Sequence, residues 1–288
     1  MRQIDKDVTK WLLNHLNEFD FKEFQSNPNI LTIDSLKPYC ELCFLTNFLN
    51  TGSFFYNELV SFLYNKIESF NWDYLLNTNP YLYIALLSVD GFYIKTKNKS
   101  IFKDADIVKF ANLFIKNPYR MIETICFLSI YYNYPIDEIF IFNKSTVLGN
   151  NKNINLLSYM DFYSITHELM YVYFLIKHKQ CTLEKYNLNL ENTKNYLLDS
   201  LSFIALDGHI DIMAELILCL GLFDFIFNEK ELKMIEKALL KIQDNTLFDG
   251  GILPHIKYNK NQKLNFNDLY HTTSVVKGMI DIWKNRLY

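Results

Sequence analysis

Along this chain apolar residues recur at spacings of three and four, and polar residues interrupt the runs every ten to twenty positions or so. That is the period of amphipathic helices; the strict alternation of half-buried strands is absent. The pattern predicts helices near residues 5–18, 34–50, 54–70, 79–89, 104–116, 119–132, 135–143, 158–178, 190–206, 209–223, 228–243 and 269–286. Asp34 and Asp104 stand ahead of periodic runs and Pro80 and Pro118 near first turns, whereas Asn50-Thr51-Gly52 and Asp90-Gly91 read as stops. The connections are mostly short and polar, so successive helices become antiparallel neighbours in a series of about six hairpins. Residues 1–288 are expected to form a single all-helical domain, with 144–156 the best candidate for a loop or linker.

Hairpins of this kind either stack into an open solenoid or close on themselves. No strict repeat of 33 to 47 residues is visible. The segments 158–178, 209–223 and 269–286 are apolar nearly all round, and they are alternate members of the series. Alternate, fully buried helices are what the inner ring of a closed barrel requires. The expected fold is therefore an all-α, α/α toroid, with the open helical-repeat solenoid as the alternative.

Composition narrows the classes. With only 8 Gly and 6 Pro there are too few turn residues for many strands, and 50% hydrophobic residues, including 24 Phe and 20 Tyr, can fill a large core. The 29 basic and 32 acidic residues give a formal charge of −3 with no long block of one sign, which argues against a nucleic-acid partner. No run approaches the ~20 apolar residues of a membrane span. Five cysteines, an odd count, and the lack of a secretory signal point to a reducing cytoplasm. Phosphate-cradling, dinucleotide and nucleophile-elbow signatures are missing, so ATP, NAD and serine-hydrolase chemistry are not expected.

The chemistry sits on the alternate helices. In 209–223 the only charges are Asp211 and Glu215, four apart and on one face; a narrow solvent stripe is the plainer explanation for them. In 158–178, His167, Tyr171, Phe174 and His178 form one stripe, where a lone histidine is more often a satisfied core residue. His271 stands on the first turn of the last helix. If the alternate helices face one cavity, His167, Asp211 and His271 make a trio suited to zinc or iron(II) with an open position. Glu215 then serves as a fourth ligand or general base and Tyr171 orients a substrate. The loop Asp249-Gly250-Gly251-Ile252-Leu253-Pro254-His255 reads as a turn near the cavity mouth and brings His255 as a further catalytic candidate. Asp207, His209 and His271 form a second candidate metal set. Cys40 and Cys43 have redox-like spacing but no partner pair, and read as two thiols on a helix face.

Asp268-Leu269-Tyr270-His271-Thr272, with Gly278 seven positions after the histidine and Gly250-Gly251 some twenty before it, resembles a segment of protein prenyltransferase β subunits, members of the terpenoid-cyclase-like group. In that family the histidine is a zinc ligand and an Asp-Gly-Cys turn upstream supplies two more. Asp207-Gly208-His209 occupies the equivalent place here, with histidine where cysteine is expected. The resemblance covers roughly thirty residues. It implies an α/α toroid with zinc on Asp207, His209 and His271, and does not extend to prenyl transfer. Two functions follow from the sequence as a whole. One is a metal-assisted enzyme with a central cavity for a small or peptide-like substrate, as in a biosynthetic tailoring reaction; the other is a non-catalytic helical-repeat module that binds a protein.

Overall fold

The structure, a computed structural model, describes residues 1–21, 33–102, 118–137, 144–260 and 264–287. Twelve α-helices lie among the described residues: α1 (Arg2–Asn14), α2 (Ile33–Leu45), α3 (Phe54–Ile67), α4 (Trp72–Thr78), α5 (Tyr83–Lys97), α6 (Pro118–Tyr132), α7 (Tyr159–Lys177), α8 (Leu183–Tyr186), α9 (Leu190–Asp207), α10 (Ile210–Leu222), α11 (Glu229–Asp244) and α12 (Phe266–Leu287). The fold is all-α; the nearest approach to a strand among these residues is one isolated antiparallel bridge between Thr246 and Ile252. The helix expected over 104–116 lies outside the described residues, as does most of that over 135–143, of which residues 135–137 are not helical.

Capping explains many of the boundaries. Ser158 and Asp161 form a reciprocal capping box at the start of α7, Asn228 and Glu231 another at α11, and Asn189 caps α9. Gly208, left-handed at φ 88°, ends α9 and turns the chain directly into α10. Asp90-Gly91 is not the expected stop. The Asp90 carboxylate is buried and accepts from the Ser100 hydroxyl, the Ile101 backbone N–H and the Tyr132 hydroxyl, so α5 continues past it to Lys97. Short helices α4 and α8 are additions to the expected pattern. The segment 144–156 is a turn-rich loop packed onto the body, where Thr146 is buried and donates to Glu168 at 3.0 Å.

All thirteen residues of α10 are buried, because α7, α9, α11 and α12 surround it. Helix contacts run from α10 to α12, from α12 to α2, then through α5 and α6 to α7 and back to α10, a circuit of six helices. Helices α9 and α11 also pack against α10, and α1 against α12. Trp283 Nε1 donates to the Ile217 carbonyl at 2.8 Å and fixes α12 on α10. Within the circuit the rings of Phe44 and Phe48 on α2, Phe127 on α6, and Tyr171 and Phe174 on α7 contact one another with centroids 5.3–6.4 Å apart. These rings join α2, α6 and α7 to one another.

The turn between α11 and α12 is pressed onto α1. Gly250 has φ 101°, and a Cβ there would lie 2.1 Å from the Asp7 carbonyl oxygen. Gly250→Ala therefore combines left-handed strain with a backbone overlap, for an expected loss of about 3 kcal/mol. Urea unfolding measures it, and a change under about 0.5 kcal/mol would mean that the turn does not clamp α1 in this way.

Candidate metal centre

Four helices of the circuit send polar side chains to one place. Asp211 and Glu215 from α10 and His271 from α12 each offer a ligand atom, all within 4.8 Å of one another. His271 Nε2 is 3.5 Å from Asp211 Oδ2 and 3.6 Å from Glu215 Oε1. From α7, His167 Nε2 approaches the same Glu215 oxygen at 3.5 Å. From α2, Glu41 Oε2 is 2.8 Å from His271 Nδ1, so this ring nitrogen carries the proton and donates it. The carboxylates of Asp211 and Glu215 are buried, whereas the His167 and His271 side chains keep 27% and 29% of their surfaces accessible. The cluster therefore opens along its imidazole side.

Helix α7 holds the carboxylates in place through a ladder of hydroxyls. Tyr159 donates to Asp207 at 2.9 Å, Tyr163 donates to Asp211, and Thr166 donates to Glu215. Tyr159 and Tyr163 are four positions apart, as are Asp207 and Asp211 across the α9–α10 turn, so the two pairs meet in register. Tyr163 Oη is pushed far above the ordinary tyrosine range by burial and by Asp211 and Glu215, and stays a donor. Burial alone would raise Glu215, but His167 and His271 outweigh it and keep the group ionised. Burial works against a charged His271, yet Glu41, Asp211 and Glu215 lift it well above its ordinary value.

The donor set fits a small cation. Ligands at 2.0–2.1 Å around a tetrahedral metal stand about 3.3 Å apart. The separations of 3.5 and 3.6 Å are near that edge length and longer than the roughly 2.8 Å of a charge-assisted hydrogen bond. Asp211 Oδ1, moreover, is buried with no hydrogen-bond partner. Of the expected ligands, Asp211 and His271 come together with Glu215; His167 approaches Glu215 Oε1 and is not one of that group. The second set does not converge. Asp207 faces Tyr159 and His255, and His209 turns Nδ1 to the Ile212 N–H at 3.5 Å, capping α10.

The two remaining catalytic candidates are engaged elsewhere. His255 Nδ1 accepts from the Lys257 N–H at 3.0 Å and Nε2 lies 3.4 Å from Asp207, so both ring nitrogens serve to pin the loop to the α9–α10 turn. That loop still borders the site, since Pro254 O accepts from the Asp211 N–H at 3.2 Å. Tyr171 donates to Glu123 at 2.7 Å, away from the cluster, and only its ring edge meets His167. Cys40 and Cys43 are buried in α2, where burial pushes both thiols up. Glu41, Tyr163 and Thr166 were not singled out from the sequence. A cavity of about 430 Å³ opens at a different place, between loop 144–151 and the start of α9, and no residue of the cluster lines it.

Fold and site together define an all-helical protein in which two buried carboxylates and two partly exposed imidazoles meet between packed helices. The chain belongs to the DUF6895 family, described as a domain of unknown function, whose family model matches residues 6–280. Neither a curated protein nor a solved structure matches it. No described helix is long and apolar enough to cross a membrane.

Proposed function

We propose that this protein is a metal-assisted enzyme whose site lies within an α/α toroid and takes zinc or iron(II) on Asp211, Glu215 and His271. The observation that carries the proposal is the position of His271 Nε2, 3.5 and 3.6 Å from two buried carboxylates while Nδ1 is tied to Glu41. The circuit of helix contacts supports a closed barrel over an open solenoid, because α12 returns to α2. A metal there would supply Lewis acidity toward a substrate oxygen or an acidified water.

The chain's own groups fill the other roles. Tyr163 and Thr166 orient the two carboxylates, so their oxygens are placed before any ligand arrives. His167, half-buried beside Glu215, is the group placed to exchange a proton with a bound substrate. The accessible imidazole side sets where a small or peptide-like substrate enters. The alternative, a module that only binds another protein, gives no role to two buried carboxylates that converge on His271.

Elemental analysis of the untagged protein, purified without chelator and reconstituted with zinc or iron(II), separates the two. Close to one equivalent per chain is expected. A substoichiometric content after reconstitution would favour the interaction module.

A further inference from the structure

Glu41 is one of two acidic residues on α2, and its neighbours in sequence, Cys40, Leu42 and Cys43, are all buried. An isolated carboxylate in such a setting has to be compensated. It is, by His271: Oε2 stands 2.8 Å from Nδ1, across 230 positions of sequence. Lys37, one turn earlier on α2, lies 3.7 Å from the other Glu41 oxygen and is half exposed, so the imidazole is the shorter contact.

The consequence is geometric. An imidazole has two nitrogens, and whichever one is held by a carboxylate leaves the other to act as ligand. With Nδ1–H held by Glu41, Nε2 is the nitrogen whose proton a metal can displace, and it is the one facing Asp211 and Glu215. The opposite tautomer would aim a proton at the ion and leave an acceptor facing a carboxylate. The contact also stops rotation of the ring, since His271 lies on the first turns of α12 with its side chain partly exposed. Glu41 touches neither Asp211 nor Glu215 in any described contact, so its action on the site passes through His271.

We infer that Glu41 is a positioning residue of the metal centre: it fixes the tautomer and the orientation of His271 and thereby sets the affinity of the Asp211–Glu215–His271 site for a divalent cation. The inference rests on the metal reading above. It adds a third element, α2, to ligands otherwise drawn from α10 and α12, and so links the two helices that meet where the circuit of contacts returns.

The test uses the full chain with Zn(II) competed against a chelator and Co(II) followed by its visible absorption. Glu41→Gln retains an oxygen that accepts from Nδ1–H but drops the charge; Glu41→Ala removes both. Loss of an outer partner of a ligating histidine costs roughly 10- to 100-fold in metal affinity, and the alanine variant is expected in the upper part of that range with the glutamine variant weaker in effect. The Co(II) spectrum should change shape in the alanine variant, because the ring is no longer held; a purely structural carboxylate would move the melting temperature and leave the spectrum alone. Should the alanine variant fold poorly, the glutamine variant decides. Metal affinity equal to that of the unsubstituted protein in a folded variant would overturn the role of Glu41 and leave the metal site standing. Absence of any binding by the unsubstituted protein would overturn the metal site, and the role of Glu41 with it.

Discussion

Replacing His271 with alanine is expected to abolish stoichiometric metal binding, with an affinity loss beyond the roughly 100-fold upper range for an outer-shell partner. Three separations meet at this ring: 3.5 Å to Asp211, 3.6 Å to Glu215 and 2.8 Å to Glu41. Without it the proposed ligands are the Asp211 and Glu215 carboxylates alone, a donor set that suits hard cations better than zinc. The variant should then show magnesium or manganese binding only at high concentration. Isothermal titration with zinc, on protein shown to be folded by circular dichroism, checks the result. Zinc bound as tightly as before would mean that the ion sits elsewhere. His167→Ala provides the comparison, because His167 approaches Glu215 but is not one of the three groups that converge within 4.8 Å, and its loss should reduce turnover more than metal content.

How far the sequence discloses this arrangement depends on how isolated each polar residue is. Asp211 and Glu215 stand out because every other residue of α10 is apolar and the helix is buried on all sides. His271 stands out for a similar reason at the head of a long apolar run. Glu41 does not, since its significance lies in a partner 230 positions away, and no local pattern reports that. Tyr163 and Thr166 are hidden in the same way: only their hydrogen bonds to Asp211 and Glu215, on a different helix, give them meaning.

The same logic governs the fold. Caps at Ser158, Asn189 and Asn228 are single polar residues ahead of apolar runs, so α7, α9 and α11 begin within a residue or so of the periodic segments. Helices α4 and α8, at seven and four residues, are too short to establish a period. The reading of Asp90-Gly91 as a stop failed for a tertiary reason. Three donors from other positions satisfy the Asp90 carboxylate in the interior, which makes a residue that usually ends helices compatible with the middle of one. Conversely the Gly-Gly turn was read locally as a turn and is one, but its left-handed Gly250 is required by contact with α1, more than two hundred residues distant in sequence.

The largest expected change in stability comes from the opposite surface of α12, where Lys277→Met should destabilise the protein by about 3–5 kcal/mol. Lys277 is buried, with Nζ 2.9 Å from Asp5 on α1 and 2.6 Å from Asp281, itself buried; Lys284 completes the set at 2.6 Å from Asp5. Methionine matches the lysine stem in volume, so packing changes little and the effect isolates the charge. What remains is a buried Asp281 whose nearest cation is Lys284 at 3.7 Å. Replacing Asp281 as well, in Lys277→Met/Asp281→Leu, should recover much of the loss, because it is the uncompensated charge that destabilises. The effect has a definite pH signature. Burial would raise Asp5, but its hydrogen bonds from Lys284 and Lys277 outweigh that and hold it below the ordinary aspartate value. A carboxylate whose folded value lies below its unfolded one contributes stability that is complete above the unfolded value, about pH 4, and is lost as pH falls through the folded value. The gap between the parent protein and Lys277→Met should therefore be widest near neutrality and narrow on acidification below about pH 4. Urea unfolding at pH 7 and pH 3 measures both points; a gap under 1 kcal/mol at pH 7 would place Lys277 among ordinary surface pairs, which are worth about that much.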